Sequence, residues 1–152
     1  MEIIERTQLP VTYRQEIVSP MMQSILAGES CSVIGIAGSG KSNLIRLLAR
    51  PDVHEHYLGA RRSEFLFLLV DLNRLTQLSE WGFWELLLHR VVAMLTEANA
   101  EPGLLTRLGD LHQRAATSKD DLVAQRCFET CIGVLCAELG RRVGRAVKER
   151  TA

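Results

Sequence analysis

The sequence predicts an α/β fold in which parallel strands are flanked by helices, the C-terminal half is helix-rich and the sheet is incomplete. Apolar runs at residues 30–36 and 64–71 lack polar alternation, which is typical of strands buried on both faces. From residue 79 onward, apolar residues recur at helical spacing instead. Because two parallel strands alone do not make a stable sheet, we expect the remaining strands to be missing from residues 1–152.

The N-terminal segment, residues 1–18, shows neither an apolar run nor apolar residues at helical spacing. It is expected to be an irregular lead-in to one partial domain covering residues 1–152. Ser19 and Pro20 predict the start of the first helix, as N-cap and first helical residue. Gly28 predicts the end of that helix. The first apolar run follows directly.

Residues 35–42 read Gly-Ile-Ala-Gly-Ser-Gly-Lys-Ser, a complete G-x-x-x-x-G-K-[ST] pattern that we call the phosphate loop. The loop stands between an apolar segment and residues 43–50, whose apolar side chains have helical spacing. A nucleotide-binding loop requires this context of strand, glycine loop and helix. Gly38 and Gly40 allow backbone N–H groups to turn towards a phosphate.

The two residues that end the phosphate loop carry the rest of the predicted chemistry. Lys41 is expected to contact the β- and γ-phosphates, and the Ser42 hydroxyl to ligate Mg²⁺. The N-terminus of the following helix adds unpaired N–H groups and a positive dipole end. The expected nucleotide-binding residues are Gly35, Ile36, Ala37, Gly38, Ser39, Gly40, Lys41, Ser42 and Asn43.

The remaining elements are predicted from residues that end helices, such as glycine and proline, and from the spacing of apolar residues. Residues 51–59 predict a short helix ending at Gly59, and residues 64–71 predict the second strand. Three helices are predicted after them, over residues 79–99, 103–116 and 118–147. The last begins at Ser118-Lys-Asp-Asp, which is similar to a capping box.

Composition excludes several classes of function. Lys plus Arg and Asp plus Glu are 18 each, so the net charge gives no indication of a polyanionic partner. A nucleic-acid partner has no support beyond five basic residues near the C-terminus, for which a solvated helix end is the favoured interpretation. These are Arg141, Arg142, Arg145, Lys148 and Arg150. No signal peptide is visible, and the longest aliphatic or aromatic run is too short to span a bilayer, so we expect a cytoplasmic protein without a membrane partner.

The pattern favours structural roles for the cysteines and for His54 and His56. Cys31 lies in the first apolar run, Cys127 and Cys131 are neighbours on the last helix and Cys136 faces away from them, so small buried hydrophobes are favoured over a metal site. His54 and His56 are predicted to lie on a solvated turn. Trp81 and Trp84 are expected to be core or interface anchors. No partner is assigned to Glu85, His89 or His112.

The phosphate loop with its flanks (residues 32–46), together with residues 50–53 and 67–73, resembles the N-terminal part of STAND or origin-recognition-type AAA+ ATPases. Residues 13–16, Tyr-Arg-Gln-Glu, stand where such proteins often have a short lead-in near the adenine. The resemblance implies ATP and Mg²⁺ as ligands. It also implies an ATP-driven switch that, in a full-length relative, gates a protein partner or an effector domain.

ATP hydrolysis needs a second motif besides the phosphate loop, an acidic residue that holds Mg²⁺ and positions water. Asp71, at the end of the second apolar run, has two interpretations in this respect. It is either the Mg²⁺-side carboxylate of a compact enzyme or the end of a distal AAA+ strand. The second is favoured because Leu72 follows in place of another acid. The resemblance would then put the catalytic strand beyond residue 152, which indicates a truncated chain that binds ATP better than it hydrolyses it.

The sequence is also compatible with two alternative functions. The first is a complete small P-loop NTPase or phosphotransferase that uses Asp71 as its catalytic residue. The second is a non-catalytic helical interaction module, in which the phosphate loop is vestigial and the helices with their tryptophan pair bind a partner.

Overall fold

A computed structural model describes residues 9–75 and 77–151, with side chains described as far as residue 142. Over these residues it contains six α-helices and two short 3-10 helices, and no strand. The chain forms two compact units, residues 1–65 and residues 66–152, here called unit 1 and unit 2.

The predicted α/β fold is therefore wrong. Residues 30–36 and 64–71, the two predicted strands, contain no strand: Glu64 ends a 3-10 helix, and residues 29–36 and 65–71 have no regular secondary structure. Ile34 and Ile36 are 93% and 82% exposed, so the first run is not a buried segment at all. An apolar run becomes a strand only when a neighbouring strand satisfies its backbone N–H and C=O groups. Unit 1 holds the first run and unit 2 nearly all of the second, so neither unit contains a matching pair.

Unit 1 is built from three helices, α1 (Gln15–Leu26), α2 (Lys41–Leu48) and α3 (Pro51–Leu58), with a 3-10 helix at Gly59–Glu64. Helix α3 packs against both α1 and α2. The buried side chains of this unit are Val18, Met22, Leu44, Leu47, Val53, His54 and Leu58.

Helix α1 begins at Gln15, before the predicted start at Ser19, so part of the expected irregular lead-in is helical and Pro20 lies inside the helix. A proline there removes one backbone hydrogen bond. Val18 and Met22, four residues apart on one face, are almost fully buried. This packing stabilises the helix through Pro20, although Ser19 and Pro20 predicted a helix start. Residues 1–8 of the lead-in lie outside the described residues. Gly28 (φ +73°) ends α1 as predicted.

Unit 2 contains a 3-10 helix at Leu72–Arg74 and three long helices, α4 (Glu80–Glu97), α5 (Pro102–Ser118) and α6 (Asp121–Thr151). The three long helices match the predicted ones closely and pack pairwise against one another. Their shared core consists of Leu88, Val91, Leu95, Leu104, Leu108, Ala115, Ala124, Cys127, Cys131, Val134 and Leu135. Among the described residues, no helix combines the length and apolar character needed to cross a bilayer.

Both tryptophans support this core, as predicted. The Trp81 indole N–H donates to the Ala115 carbonyl at 2.8 Å, which ties the start of α4 to the end of α5. The Trp84 ring lies 5.4 Å from the Phe128 ring of α6, measured between centroids. Because the start of α4 lies beside the end of α5, these two helices run antiparallel.

The prediction of small buried cysteines is confirmed for Cys127 and Cys131 and is wrong for Cys31 and Cys136. Cys127 and Cys131 are buried and Cys136 is exposed, as their spacing predicts. Burial raises the pKa of the Cys131 thiol to about 11, which makes it an unreactive packing residue. Cys31 is exposed because the apolar run that carries it is not part of a sheet.

Candidate phosphate-binding site

The phosphate loop lies at the N-terminus of α2, as expected, but the strand expected before it is missing, because residues 29–36 have no regular secondary structure. Gly38 (φ +79°) and Gly40 (φ +86°) both adopt the left-handed conformation, which L side chains rarely accept. Gly40 is the N-cap of α2, and the Ser39 N–H donates to the Ile36 carbonyl at 3.3 Å. The loop therefore makes a tight turn at the positions where the sequence supplies glycine.

The backbone at the start of α2 offers donors to an anion. The first intrahelical bond runs from the Leu44 N–H to the Gly40 carbonyl at 3.0 Å. The N–H groups of the first helical turn precede that bond and have no acceptor within the helix. Ser42 and Asn43 are exposed. The positive end of the helix dipole is consequently accessible from solvent.

The Lys41 side chain folds back over the loop that precedes it. Its ammonium group donates to the carbonyl oxygens of Gly35 and Ile36, the latter at 2.6 Å. A cation is thus held beside the turn, where a phosphate oxygen could replace either carbonyl as the acceptor.

Gly35 lies close to the Ser39 side chain, and its φ is outside the left-handed region. A β-carbon on Gly35 would lie 2.9 Å from the Ser39 hydroxyl oxygen, a contact that rotation of the Ser39 side chain can relieve. The stronger constraint therefore falls on Gly40, whose positive φ strains any side chain.

A second cation, Arg14, lies beside the phosphate loop, within the lead-in that the resemblance had placed near the adenine. A β-carbon on Gly40 would be 3.4 Å from Arg14 Nη2 and 3.8 Å from the Tyr13 hydroxyl. The Arg14 guanidinium also lies 5.7 Å from the centre of the Tyr13 ring. Tyr13 and Arg14 thus neighbour the end of the loop that precedes α2. The motif gives no signal for this contact, which depends on how the lead-in packs.

Two interactions tie the lead-in to α3 and so position Tyr13 and Arg14. The Arg50 guanidinium donates to the Leu9 carbonyl while it is also bound to the Asp52 carboxylate, with an Nε–Oδ1 distance of 3.0 Å. Two turns further along α3, the Tyr57 hydroxyl donates to the Val11 carbonyl at 3.4 Å.

His54 anchors the far end of α2, and its predicted place on a solvated turn is wrong. The side chain is 2% exposed, and its Nε2–H donates to the Leu48 carbonyl at 2.6 Å. Desolvation lowers the pKa of His54, and the hydrogen bond to Leu48 opposes this only in part. His56, in contrast, is exposed as predicted.

Asp71 is the N-cap of the 3-10 helix in unit 2. Its carboxylate accepts from the Asn73 backbone N–H at 3.0 Å and from the Asn73 side-chain amide at 2.9 Å. These bonds give the carboxylate a local structural role. A catalytic role for Asp71 remains a prediction.

Comparison with protein-family models, with curated proteins and with solved structures found no match for this chain. The resemblance to STAND and AAA+ ATPases therefore remains a prediction that depends on the residues named above.

Proposed function

We propose that this chain binds ATP together with Mg²⁺ through the phosphate loop. The observation that carries the proposal is the conformation of the loop at the start of α2. Gly38 and Gly40 take left-handed angles, and Lys41 holds its ammonium group on the loop backbone. Turned glycine backbone, a helix N-terminus and a lysine are the three components by which such loops bind polyphosphates.

Each residue of the site has a specific role in the proposal. The backbone of residues 35–40 forms the cradle, and the Asn43 N–H adds a donor from the first helical turn. Lys41 pairs with the β- and γ-phosphates, and Ser42 ligates Mg²⁺. Arg14, which lies beside Gly40, supplies a second positive charge to the same phosphates.

ATP would act as a switch ligand in this proposal, in keeping with the resemblance to STAND and AAA+ proteins. Binding to the loop would order unit 1 and so change how a protein partner or an effector domain is engaged in the cytoplasm. Turnover by this chain is the competing proposal and requires the Asp71 carboxylate. Loss of ATP hydrolysis in Asp71→Asn, with ATP binding retained, would favour that alternative.

The decisive test is ATP binding by Lys41→Ala, measured by isothermal titration calorimetry with Mg²⁺ present. Hydrogen bonds to charged groups contribute about 1.5–3 kcal/mol each, so we expect affinity to fall by roughly 10–100-fold. Arg46→Ala is the matched control, because it removes one positive charge from an exposed position on the same helix. It should leave the affinity within about threefold, since exposed charges contribute little.

Two results would contradict the proposal. One is the absence of ATP binding by the wild-type chain, whose folding is checked by circular dichroism. The other is an equal affinity for Lys41→Ala and wild type. A drop in affinity on adding EDTA would in addition support the role of Mg²⁺ at Ser42.

A further inference from the structure

Unit 2 brings together three metal-ligating side chains to which the sequence reasoning assigned no partner. Glu85 and His89 lie on α4, and His112 lies on α5. One ligand atom from each of them lies within 4.8 Å of the other two. This cluster, here called the Glu–His–His cluster, belongs to a different unit from the phosphate loop and does not depend on the proposed ATP site.

Helix geometry explains why these residues meet. Glu85 and His89 are four residues apart, so they project from one face of α4 on successive turns. His112 reaches the same face because α5 runs antiparallel to α4, one turn before the Ala115 carbonyl that accepts the Trp81 indole N–H. The sequence alone did not indicate this cluster, since 22 residues lie between its two histidines.

The packed core holds the two helices at a fixed separation beneath the cluster. Leu88 on α4 and Leu108 on α5 are both fully buried in the core of unit 2. Because packed interiors resist rearrangement, the backbone under the three side chains is already in place before any ligand binds. Only rotation about side-chain bonds would be needed to adjust the cluster.

The distances fit a tetrahedral ion after small rotations. His112 Nε2 lies 2.7 Å from Glu85 Oε1, and the His89 and His112 ring centroids are 5.4 Å apart. Zinc binds nitrogen and oxygen ligands at about 2.0–2.2 Å, which places tetrahedral ligand atoms about 3.3 Å from one another. The Glu85–His112 contact would therefore open slightly, and the widest separation in the cluster would close by about 1.5 Å.

We propose that Glu85, His89 and His112 form a Zn²⁺ site that bridges α4 and α5. Two imidazoles and one carboxylate suit a borderline ion such as Zn²⁺, whereas Mg²⁺ and Ca²⁺ prefer oxygen ligands alone. Three protein ligands leave a fourth coordination position for water, the arrangement of zinc sites that perform chemistry.

Access to the site is open. The Glu85 and His112 side chains are 21% and 23% exposed, and His89 is exposed. An ion can therefore enter without unfolding of the helices. The nearest alternative is an ordinary hydrogen bond between Glu85 and His112, with His89 as a bystander on the helix surface.

Metal binding is tested on the full chain, prepared without a histidine tag and stripped of metal with a chelator. Titration with Zn²⁺ alone should show one bound ion per chain and a higher melting temperature for unit 2. Removing a hydrogen-bonding partner of a metal ligand costs 10–100-fold in affinity, so loss of a ligand should cost at least tenfold. We expect this from each of His89→Ala, His112→Ala and Glu85→Gln.

His56→Ala is the matched control, because His56 is an exposed histidine of unit 1. It should leave Zn²⁺ affinity unchanged. Replacing Zn²⁺ with Co²⁺ identifies the ligands, since nitrogen and oxygen ligands give visible bands without the near-ultraviolet band of a thiolate. A thiolate band would assign the ion to the cysteines and overturn the proposal.

The exposed position of His89 keeps the test decisive. If His112→Ala is unfolded by circular dichroism, His89→Ala still removes a ligand without disturbing the core. Unchanged Zn²⁺ affinity in His89→Ala would show that the ion is bound elsewhere, and lack of Zn²⁺ binding by the wild-type chain would equally refute the site. ATP affinity should be the same in His89→Ala and wild type, so this outcome is independent of the phosphate loop.

Discussion

The two compact units of this chain obtain their structure in different ways. Unit 2 is organised by side chains, because long apolar stripes on α4, α5 and α6 pack into one core. The phosphate loop of unit 1 and its lead-in are organised by the backbone, through left-handed glycines and hydrogen bonds to main-chain carbonyls from Lys41 and Arg50. A helical stripe tolerates many substitutions, whereas a glycine at positive φ tolerates very few.

The largest effect that tests this comparison is expected in the core of unit 2. Leu108→Ala removes a fully buried side chain and should lower the free energy of unfolding by about 2–5 kcal/mol. Leu122→Ala, at a leucine that is 55% exposed on α6, should change it by less than about 0.5 kcal/mol.

Denaturant unfolding followed by tryptophan fluorescence measures this effect selectively, because both tryptophans, Trp81 and Trp84, lie in unit 2. Equal losses for the buried and the exposed leucine would show that the three-helix core is not the source of stability.

A smaller effect is expected at two glycines, where substitution by alanine should change the free energy of unfolding in opposite directions. A β-carbon on Gly38 meets nothing within 4 Å, but its φ of +79° makes any side chain strained. Gly38→Ala should therefore cost about 1–2 kcal/mol and weaken ATP binding. Gly109 in α5 has equal space and lies within a helix, so Gly109→Ala should stabilise by about 0.5–1 kcal/mol.

Urea unfolding monitored by far-ultraviolet circular dichroism, with ATP titrations of both variants, checks this pair. The comparison fails if the two substitutions shift stability in the same direction, since open space alone would then decide the outcome.

The smallest effect concerns pH and unit 1. Burial lowers the pKa of His54, so the folded state binds fewer protons than the unfolded state, whose histidine has a pKa of about 6.5. The stabilisation from neutral His54 is complete above that value and is lost as the pH falls below it. Arg62 adds to the lowering of this pKa, while Asp52 opposes it.

The wild-type chain should accordingly melt at a lower temperature near pH 5.5 than near pH 7.5. His54→Leu should lose part of this difference, and His56→Ala, whose imidazole is exposed, should keep all of it. An unaltered pH dependence in His54→Leu would mean that other groups cause it.

The sequence predicted unit 2 better than unit 1, for a physical reason. Apolar residues at helical spacing report a helix and its buried face together, so α4, α5 and the start of α6 could be read directly. The start of α6 shows the limit of such signals, because Asp120 rather than Ser118 accepts the Val123 N–H, at 2.9 Å. Capping depends on the final turn geometry, which spacing does not fix.

The prediction of two strands was wrong because an apolar run does not indicate which segment it packs against. Residues 30–36 have the composition of a buried strand, yet strand formation depends on a partner that the same residues cannot supply. The location of the phosphate loop was readable because its chemistry is local. The resemblance placed residues 13–16 near the nucleotide but did not give the contact of Arg14 with Gly40. Neither that contact nor the Glu–His–His cluster could be predicted from the sequence, since each depends on residues that are brought together only by packing.

The bonds from Lys41 to the Gly35 and Ile36 carbonyls have a consequence for ligand selectivity. The ammonium group begins with its hydrogen bonds already made, so an incoming anion exchanges those bonds and gains only the difference. In the proposed function, inorganic phosphate would replace them with little net gain. A triphosphate would reach further along the loop and engage the backbone N–H groups of α2 as well. The proposed site should therefore bind longer phosphate chains more tightly, because only these compensate for the hydrogen bonds that Lys41 gives up.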